Sequence, residues 1–210
     1  AAIAKPEKLI PATVEFVDIA GLVAGASKGE GLGNQFLANI RECDAIAHIV
    51  RCFDDPNIIH VAGKVDPVSD IEVINTELAL ADLQTVDKQM QRYAKVARTG
   101  QGPEAKEAKR LVEALEKILP ALNEAKPVRS VNLYPEEREV LKPLFLLTAK
   151  PTMYVANVEE HGFDNNPLLD KVRAYAEREG APVVAVCAKV EAEIADLSDD
   201  DKEVFLADMG

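Results

Sequence analysis

Residues 14–37 decide the fold, and they read VEFVDIAGLVAGASKGEGLGNQFL. Residues 14–17 are apolar at three of their four positions, which predicts a short buried parallel strand. That strand delivers Asp18 at its carboxyl end, where open α/β sheets bind their ligands. Gly21 allows a turn, a glycine-rich tract follows, and a helix is expected from about Asn34. The stretch therefore predicts an α/β fold with a ligand-binding loop after one of its strands.

A strand that ends in Asp-x-x-Gly is one signature of nucleoside triphosphatases. In them the Asp holds Mg²⁺ through water and the Gly amide contacts the γ-phosphate, roles that would fall to Asp18 and Gly21. Two alternatives remain. The spacing of Gly29, Gly31 and Gly33 is partly similar to a dinucleotide fingerprint, although that motif needs its glycines directly after the strand. A flexible surface loop with a structural Asp cap also fits the four-residue motif taken alone.

The longer stretch resembles a known family. Residues 18–22, DIAGL, and residues 25–34, GASKGEGLGN, resemble the switch II segment of the Obg-related P-loop GTPases. Residues 51–53, RCF, and 70–78, DIEVINTEL, narrow the resemblance to the YchF subfamily, the Obg-like ATPases. The resemblance implies Mg²⁺ with ATP or GTP as ligands, Asp18 as the water-mediated metal ligand, and a switch II formed by Asp18, Ala20, Gly21, Leu22, Gly25, Gly29, Gly31 and Gly33.

The remaining sequence alternates predicted strands and helices around a helical insert. Strands are expected at residues 45–52, 152–157 and 181–187. The predicted fold is α/β, with a mostly parallel sheet of the P-loop NTPase (G-domain) type and an inserted α-helical coiled-coil hairpin. Three parts follow from this pattern: residues 1–68 as the first part of the G-domain with switch II and the following strand, 69–149 as the helical coiled-coil insertion, and 150–210 as the second, base-binding part.

Within the insertion, residues 69–72 have the pattern of a capping box and predict the start of a long helix. Residues 99–103, TGQGP, break that helix. The next helix carries a heptad seam, and the two helices are expected to form an antiparallel hairpin. A third helix is expected from Pro135 through Leu147. The seam residues are Ala108, Leu111, Leu115, Ile118 and Leu122.

Composition limits the classes of function. A net charge of −12 over 210 residues argues against non-specific nucleic-acid binding by the surface as a whole. The three cysteines are far apart and fit a reducing compartment better than disulfides or a metal site. No stretch has the ~20 apolar residues of a membrane span, and the first residues are too polar for a signal peptide. A cytoplasmic protein with no membrane partner is expected.

Residues 157–160, NVEE, follow a predicted strand, where nucleotide-binding folds contact the base. GTPases carry Asn-Lys-x-Asp there, and the Asp accepts two hydrogen bonds from guanine. Val158 and Glu160 replace the Lys and the Asp, so we expect guanine selectivity to be lost. The resembled subfamily carries Asn-x-x-Glu and prefers ATP. The alternative is that Asn157 and Glu160 only form a turn at the end of the strand. Cys187, Ala188 and Lys189 follow the last strand, where such folds contact the base through a backbone amide.

The side chain that usually orients the attacking water in hydrolysis is missing. Many GTPases place a Gln after Asp-x-x-Gly to orient the attacking water, and here Leu22 takes that place. His60 is the candidate catalytic residue, because an imidazole titrates near neutral pH. The alternative is a packed histidine between Ile59 and Val61. His48 lies within an apolar strand and is expected to be structural.

No Gly-x4-Gly-Lys-Ser/Thr motif occurs in the 210 residues. The resemblance implies that a P-loop, a first strand and switch I precede Ala1, and that a TGS domain follows the last residue. We therefore expect a fragment that alone binds nucleotide weakly and hydrolyses it hardly at all. The absent strand is central in such sheets, so its neighbours should lack a partner.

A concentration of positive charge is expected at the tip of the helical hairpin. The alternatives are a solvated helix face and a contact with RNA phosphates, and in the resembled family the partner is the ribosome. A non-catalytic module that binds the ribosome or RNA is thus the alternative to a nucleotide hydrolase, and a true GTPase is a third option. The basic residues are Lys88, Arg92, Lys95, Arg98, Lys106, Lys109 and Arg110.

Overall fold

The computed structural model describes residues 12–19, 32–60, 62–198, 200–202 and 204. Its helices and strands follow the order expected for an α/β chain with a helical insertion between two strands. In chain order they are α1 (Leu32–Glu42), β1 (Ile46–Arg51), α2 (Pro67–Thr99), α3 (Pro103–Asn123), α4 (Pro135–Leu141), β2 (Thr152–Asn157), α5 (Pro167–Glu179), β3 (Val183–Val186) and α6 (Ala188–Ala195).

The described strands form one parallel sheet in the order β1-β2-β3. Ile46 of β1 pairs with Thr152 of β2, and Tyr154 of β2 pairs with Val183 of β3. The helices α2 to α4 therefore form part of the connection between two neighbouring parallel strands. This arrangement confirms the predicted α/β fold with a parallel sheet and a helical insertion; the division into parts at residues 68 and 149 stays a prediction.

One face of the sheet carries a packed core. Val50, Tyr154 and Ala156 point to this face and are at most 2% exposed. They pack against Leu169 and Val172 of α5, whose apolar residues recur at the three- and four-residue spacing of a helix face. On the opposite face Ile49 is 64% exposed and Val184 is 44% exposed. The core thus lies between the sheet and α5.

The helices α2 and α3 form the predicted hairpin. Four of the five seam residues of α3 are buried, and the fifth, Leu111, is half-buried against Val86 and the rest of the same cluster. Gly102 has a φ of 87°, which a residue with a side chain rarely adopts, and Pro103 then starts α3 at its first turn. Although α2 runs for 33 residues, no helix in the described part of the chain is long and apolar enough to cross a membrane.

The predicted strand at residues 14–17 is wrong. These residues have no regular secondary structure, and Val14, Phe16 and Val17 are 78%, 84% and 55% exposed. A strand is stable only when its backbone groups pair with a neighbour, and no described strand pairs with this segment. Apolar, β-branched composition gives the tendency to form a strand without supplying its partner.

Two predicted helix ends are also corrected. The helix α2 begins at Pro67 rather than at a Ser69 capping box, because the Asp66 side chain accepts a hydrogen bond from Ser69 N at 3.5 Å. The helix α4 ends at Leu141 instead of running to Leu147, because Pro143 has no amide hydrogen and cannot continue the ladder. Short 3₁₀ turns at Lys142–Leu144 and Leu147–Ala149 take its place.

A buried carboxylate joins the insertion to the sheet. Asp82 of α2 is fully buried and accepts hydrogen bonds from the backbone amides of Leu147 and Thr148, both at 2.8 Å. The Thr148 hydroxyl donates to the same carboxylate at 2.7 Å and accepts from Val128 N at 3.1 Å. Burial raises the pKa of Asp82, and the bonds from Thr148 and Leu147 act against that rise. The carboxylate thereby fixes α2 to the turn that enters β2.

A second link reaches the sheet itself. Arg129, which follows α3, forms a salt bridge with Glu179 at the end of α5, with 2.8 Å between Nη2 and Oε2. The Tyr154 hydroxyl of β2 donates to the same Glu179 oxygen at 2.9 Å. Both charged side chains of this salt bridge are mostly buried, so removing either one would leave the other as an uncompensated buried charge.

We predict that Asp82→Ala lowers the free energy of unfolding by about 3–5 kcal/mol, because two buried amides and one hydroxyl lose their acceptor and each lost bond costs about 1–3 kcal/mol. Urea unfolding followed by circular dichroism measures the change. The matched control is Asp87→Ala, an exposed acid on the same helix, which should change stability by less than about 0.5 kcal/mol. Equal effects of the two substitutions would contradict the structural role of Asp82.

Candidate nucleotide site

The candidate site lies at the carboxyl ends of the three strands. There Cys52 N donates to the carbonyl of Asn157 at 2.8 Å, and Val158 N donates to the carbonyl of Val186 at 2.8 Å. These bonds extend the pairing by one residue beyond the strands, so the three ends lie side by side. Parallel α/β sheets bind ligands in the crevice at this edge.

Asn157 connects the two segments that the sequence predicts for base binding. Its side-chain oxygen accepts a hydrogen bond from Ala188 N at 3.0 Å, although the two residues are 31 positions apart. Ala188 is the first residue of α6, and the preceding Cys187 occupies the N-cap position. The Asn157 side chain therefore holds the start of α6 against the end of β2.

The side chains of the other predicted base-contacting residues differ in solvent exposure. Val158 and Cys187 are 2% and 4% exposed, so their side chains belong to the core. Glu160 and Lys189 are exposed, with Glu160 in the turn that Gly162 N closes on the carbonyl of Glu159 at 2.8 Å. Val158 therefore offers its backbone to this edge, while Glu160 and Lys189 keep their side chains free for solvent or ligand.

Asn166 organises the loop that carries Glu160, and sequence reasoning missed this role. Its side-chain oxygen caps α5 by accepting from Leu168 N and Leu169 N, at 3.0 and 3.2 Å. Its side-chain amide donates to the carbonyls of Cys52 and Gly162, both at 2.9 Å. The available signal was Asn before Pro at a helix start, which indicates the cap but not the bond to the end of β1.

The predicted phosphate side lies largely outside the described residues. Asp18 is described and exposed, and Gly33 belongs to α1, which starts two residues earlier than predicted. A single exposed carboxylate fits Mg²⁺, which binds few protein oxygens and keeps most of its water. Within the described ranges no three acidic, His or Cys side chains converge as a metal cluster. The roles of Ala20, Gly21, Leu22, Gly25, Gly29 and Gly31 fall on residues that are not described and stay predictions.

Arg51, the last residue of β1, organises the loop that leaves this edge. Its guanidinium donates to the carbonyls of Phe53 and Ile58 at 3.0 Å each and to that of Asp55 at 3.3 Å. It also lies over the Phe53 ring, 4.7 Å from the centroid. The loop thus folds back on the strand end, and it carries His60 towards the start of α2.

His60, the predicted catalytic residue, uses both ring nitrogens. Its Nε2 lies 2.9 Å from the Oδ2 atom of Asp70, and its Nδ1 accepts from Ala62 N at 3.2 Å. The His60 side chain is 16% exposed. His60 is therefore held within its own loop and against α2, and its role in hydrolysis stays a prediction.

His48 fits the structural role expected for it. It lies in β1, and its ring centroid is 5.7 Å from that of Tyr154. Burial and the nearby positive charge of Arg129 lower the pKa of His48 to about 4. The imidazole is consequently neutral at neutral pH and packs as an uncharged ring.

The seven basic residues of the hairpin tip are all exposed. On α2 they recur at the three- and four-residue spacing of one helix face, and those of α3 follow the same spacing. Lys109 is 3.9 Å from Glu113, an exposed pair that contributes little. The tip, defined by Lys88, Arg92, Lys95, Arg98, Lys106, Lys109 and Arg110, therefore presents positive charge to solvent on a chain of net charge −12.

Known proteins with the same fold and sequence pattern identify the family. The family described as "50S ribosome-binding GTPase" matches residues 4–117. The chain is 60% identical over 210 residues to "Ribosome-binding ATPase YchF" of Haemophilus influenzae, covering 100% of this chain and 57% of that protein. It is 50% identical over 208 residues to the protein of the same name from Bacillus subtilis, covering 98% of this chain and 56% of that protein.

Among solved structures, the fold is similar to the one described as "Structure of the Schizosaccharomyces pombe YchF GTPase". The TM-score is 0.74 at 32% identity, over 88% of this chain and 52% of that chain. The chain thus spans little more than half the length of the curated relatives it matches. It belongs to the 50S ribosome-binding GTPase family and, within it, to the YchF subfamily of Obg-related P-loop GTPases.

Proposed function

We propose that the whole protein is a ribosome-associated, Mg²⁺-dependent nucleoside triphosphatase that prefers ATP to GTP. This chain would supply the base-binding edge, the switch segment and the helical arm. The observation that carries the proposal is the hydrogen bond from Ala188 N to the Asn157 side chain, since it joins both predicted base-binding segments at the ligand edge of the sheet. The cytoplasm is the expected location, because relatives are named as ribosome-binding proteins.

The preference for ATP rests on what the edge offers to a purine. Guanine recognition needs a carboxylate that accepts from N1–H and the 2-amino group together. Glu160 is exposed in a tight turn, and its additional methylene moves its carboxylate away from the place that Asp takes in GTPases. Adenine has no N1–H, so it loses nothing when that carboxylate is displaced. Asn157 and the backbone around Val158 and Ala188 would then contact either base.

We predict that ATP binds the whole protein more tightly than GTP, with binding lost when EDTA removes Mg²⁺. Competition of GTP against a fluorescent ATP analogue measures the preference. Asn157→Ala should weaken both nucleotides about tenfold, because it removes one base contact and loosens the start of α6. Asn123→Ala, at the exposed end of α3, is the matched control. Equal displacement by GTP would refute the preference, and absence of any nucleotide binding would refute the enzyme.

For hydrolysis we propose that Asp18 holds the Mg²⁺ through water and that Gly21 contacts the γ-phosphate. Leu22 has no polar atom on its side chain, so another group must activate the water. His60 is the candidate, because its loop leaves β1 at the ligand edge and its ring is held by Asp70. Its Nδ1 would accept the proton of the water after releasing the amide of Ala62.

We predict that His60→Ala lowers the kcat for ATP about 100-fold in the whole protein, since general base catalysis contributes about 10²–10⁴-fold. The KM for ATP should change less than about threefold, because the imidazole does not contact the base. The control is His161→Ala, which removes an exposed imidazole from the β2–α5 loop. A kcat that is the same in both variants would remove His60 from the reaction.

The basic tip suggests how the arm contributes to ribosome association. Seven exposed basic side chains lie on the adjacent ends of two helices, where they can neutralise several phosphates at once. We propose that the tip contacts ribosomal RNA. The same feature supports the rival function, a non-catalytic module that binds the ribosome or RNA, and the nucleotide titration above separates the two.

We predict that Lys95→Glu combined with Arg98→Glu weakens ribosome association at least about tenfold and flattens its dependence on salt, because fewer counterions are released. Sedimentation with ribosomes at several salt concentrations measures both quantities. The control Lys171→Glu reverses one exposed charge on α5, far along the chain from the tip. Unchanged association of the double variant would show that the tip is not the contact.

A further inference from the structure

The pair formed by His60 and Asp70 has a defined direction of hydrogen bonding. A backbone amide can only donate, so the 3.2 Å contact from Ala62 N makes Nδ1 of His60 an acceptor that carries a lone pair. A neutral imidazole then has its proton on Nε2, and that proton points at Oδ2 of Asp70 at 2.9 Å. The two contacts together select one tautomer of His60.

The two partners of His60 belong to different structural elements, a helix and a short turn. Asp70 lies in the first turn of α2, which Asp66 caps and Pro67 starts, and its amide donates to the Asp66 carbonyl at 3.0 Å. Ala62 lies in a four-residue turn that the bond from Gly63 N to the His60 carbonyl closes at 2.9 Å. Gly63 has a φ of 72° with open space around it. The Ala62 contact thus depends on one short turn, whereas Asp70 is held by the hydrogen bonds of the helix.

We propose that Asp70 is the positioning residue of His60, a proposal that rests on the role of His60 in hydrolysis proposed above. Asp70 holds the imidazole with its proton on Nε2, so that Nδ1 is the nitrogen left to receive a proton. Once Nδ1 no longer accepts from Ala62 N, the water gives its proton to Nδ1 and its oxygen bonds the γ-phosphorus. The bond between the γ-phosphorus and the β–γ bridging oxygen breaks, and ADP and inorganic phosphate leave. The Asp70 carboxylate stabilises the imidazolium until Nδ1 passes its proton to solvent water.

A purely structural role of the pair makes a different prediction. If the contact only ties the loop to α2, loosening the loop by other means should reduce activity to the same degree. Gly63→Ala provides that comparison, because it strains the turn at a positive φ without touching either ring nitrogen or the carboxylate. Glu72→Gln is the second control, since it neutralises an exposed acid two residues further along α2.

The experiment compares Asp70→Asn, Asp70→Glu and both controls in the whole protein, with steady-state ATPase kinetics and ¹⁵N NMR of the His60 ring. Asp70→Asn should lower kcat about 10–100-fold, by analogy with the loss seen when the carboxylate that orients a metal-bound histidine is removed. The KM for ATP should stay within about twofold. The proton on Nε2 should exchange faster with solvent because its carboxylate acceptor is gone, while Ala62 N still keeps Nδ1 as an acceptor. Asp70→Glu should restore part of the kcat by keeping a carboxylate acceptor.

Each outcome has a separate meaning. A kcat for Asp70→Asn within about twofold of the parent, or an unchanged exchange rate of the Nε2 proton, overturns the proposal for Asp70. An equal loss of kcat in Gly63→Ala with the exchange of the Nε2 proton unchanged overturns it in favour of the structural role. If His60→Ala lowers kcat while Asp70→Asn does not, only this inference fails. If His60→Ala leaves kcat unchanged, the catalytic role of His60 and the positioning role of Asp70 both fail.

Discussion

The arrangement of the helical insertion on the sheet depends on the buried carboxylate of Asp82. Its two oxygens take three donors from the turn before β2, so α2 cannot shift without leaving buried amides unpaired. The Thr148 hydroxyl also accepts a hydrogen bond from Val128 N, so the same network holds the segment that follows α3. Because the same turn leads directly into β2, the position of the arm and the position of Asn157 are fixed by one set of hydrogen bonds.

The strand ends at the candidate site and the helical hairpin could be predicted from the sequence because both rest on local patterns. The strand at residues 152–157 was predicted to the residue, since it is a short, mostly apolar run that ends at an Asn. The seam of α3 follows from a repeat within one helix. Non-local constraints were missed. Asp82 has the appearance of a surface acid on a helix, and its partners lie 65 and 66 residues later in the chain.

In the candidate site, too, residues that belong to a recognisable motif could be predicted, whereas contacts that depend on the tertiary structure could not. Asn157 and Ala188 could be named because each follows a strand at a recognisable position. Asp70 was named only as part of the longer stretch that resembles the family. Its contact with His60 depends on the path of a loop, which no sequence periodicity describes. The segment at residues 14–17 failed for the opposite reason: its composition favours a strand, but a sheet partner is a property of the whole fold.

One consequence follows from the place at which α2 is held. Asp82 lies near the middle of this 33-residue helix. At 1.5 Å per residue, Asp70 is about 18 Å to one side of Asp82 and Thr99 about 25 Å to the other. Because the hydrogen bonds of Asp82 resist a shift of the helix and Ile71 is fully buried in the sheet core, α2 acts as a stiff spacer that keeps Asp70 at a constant distance from the outer end of the arm.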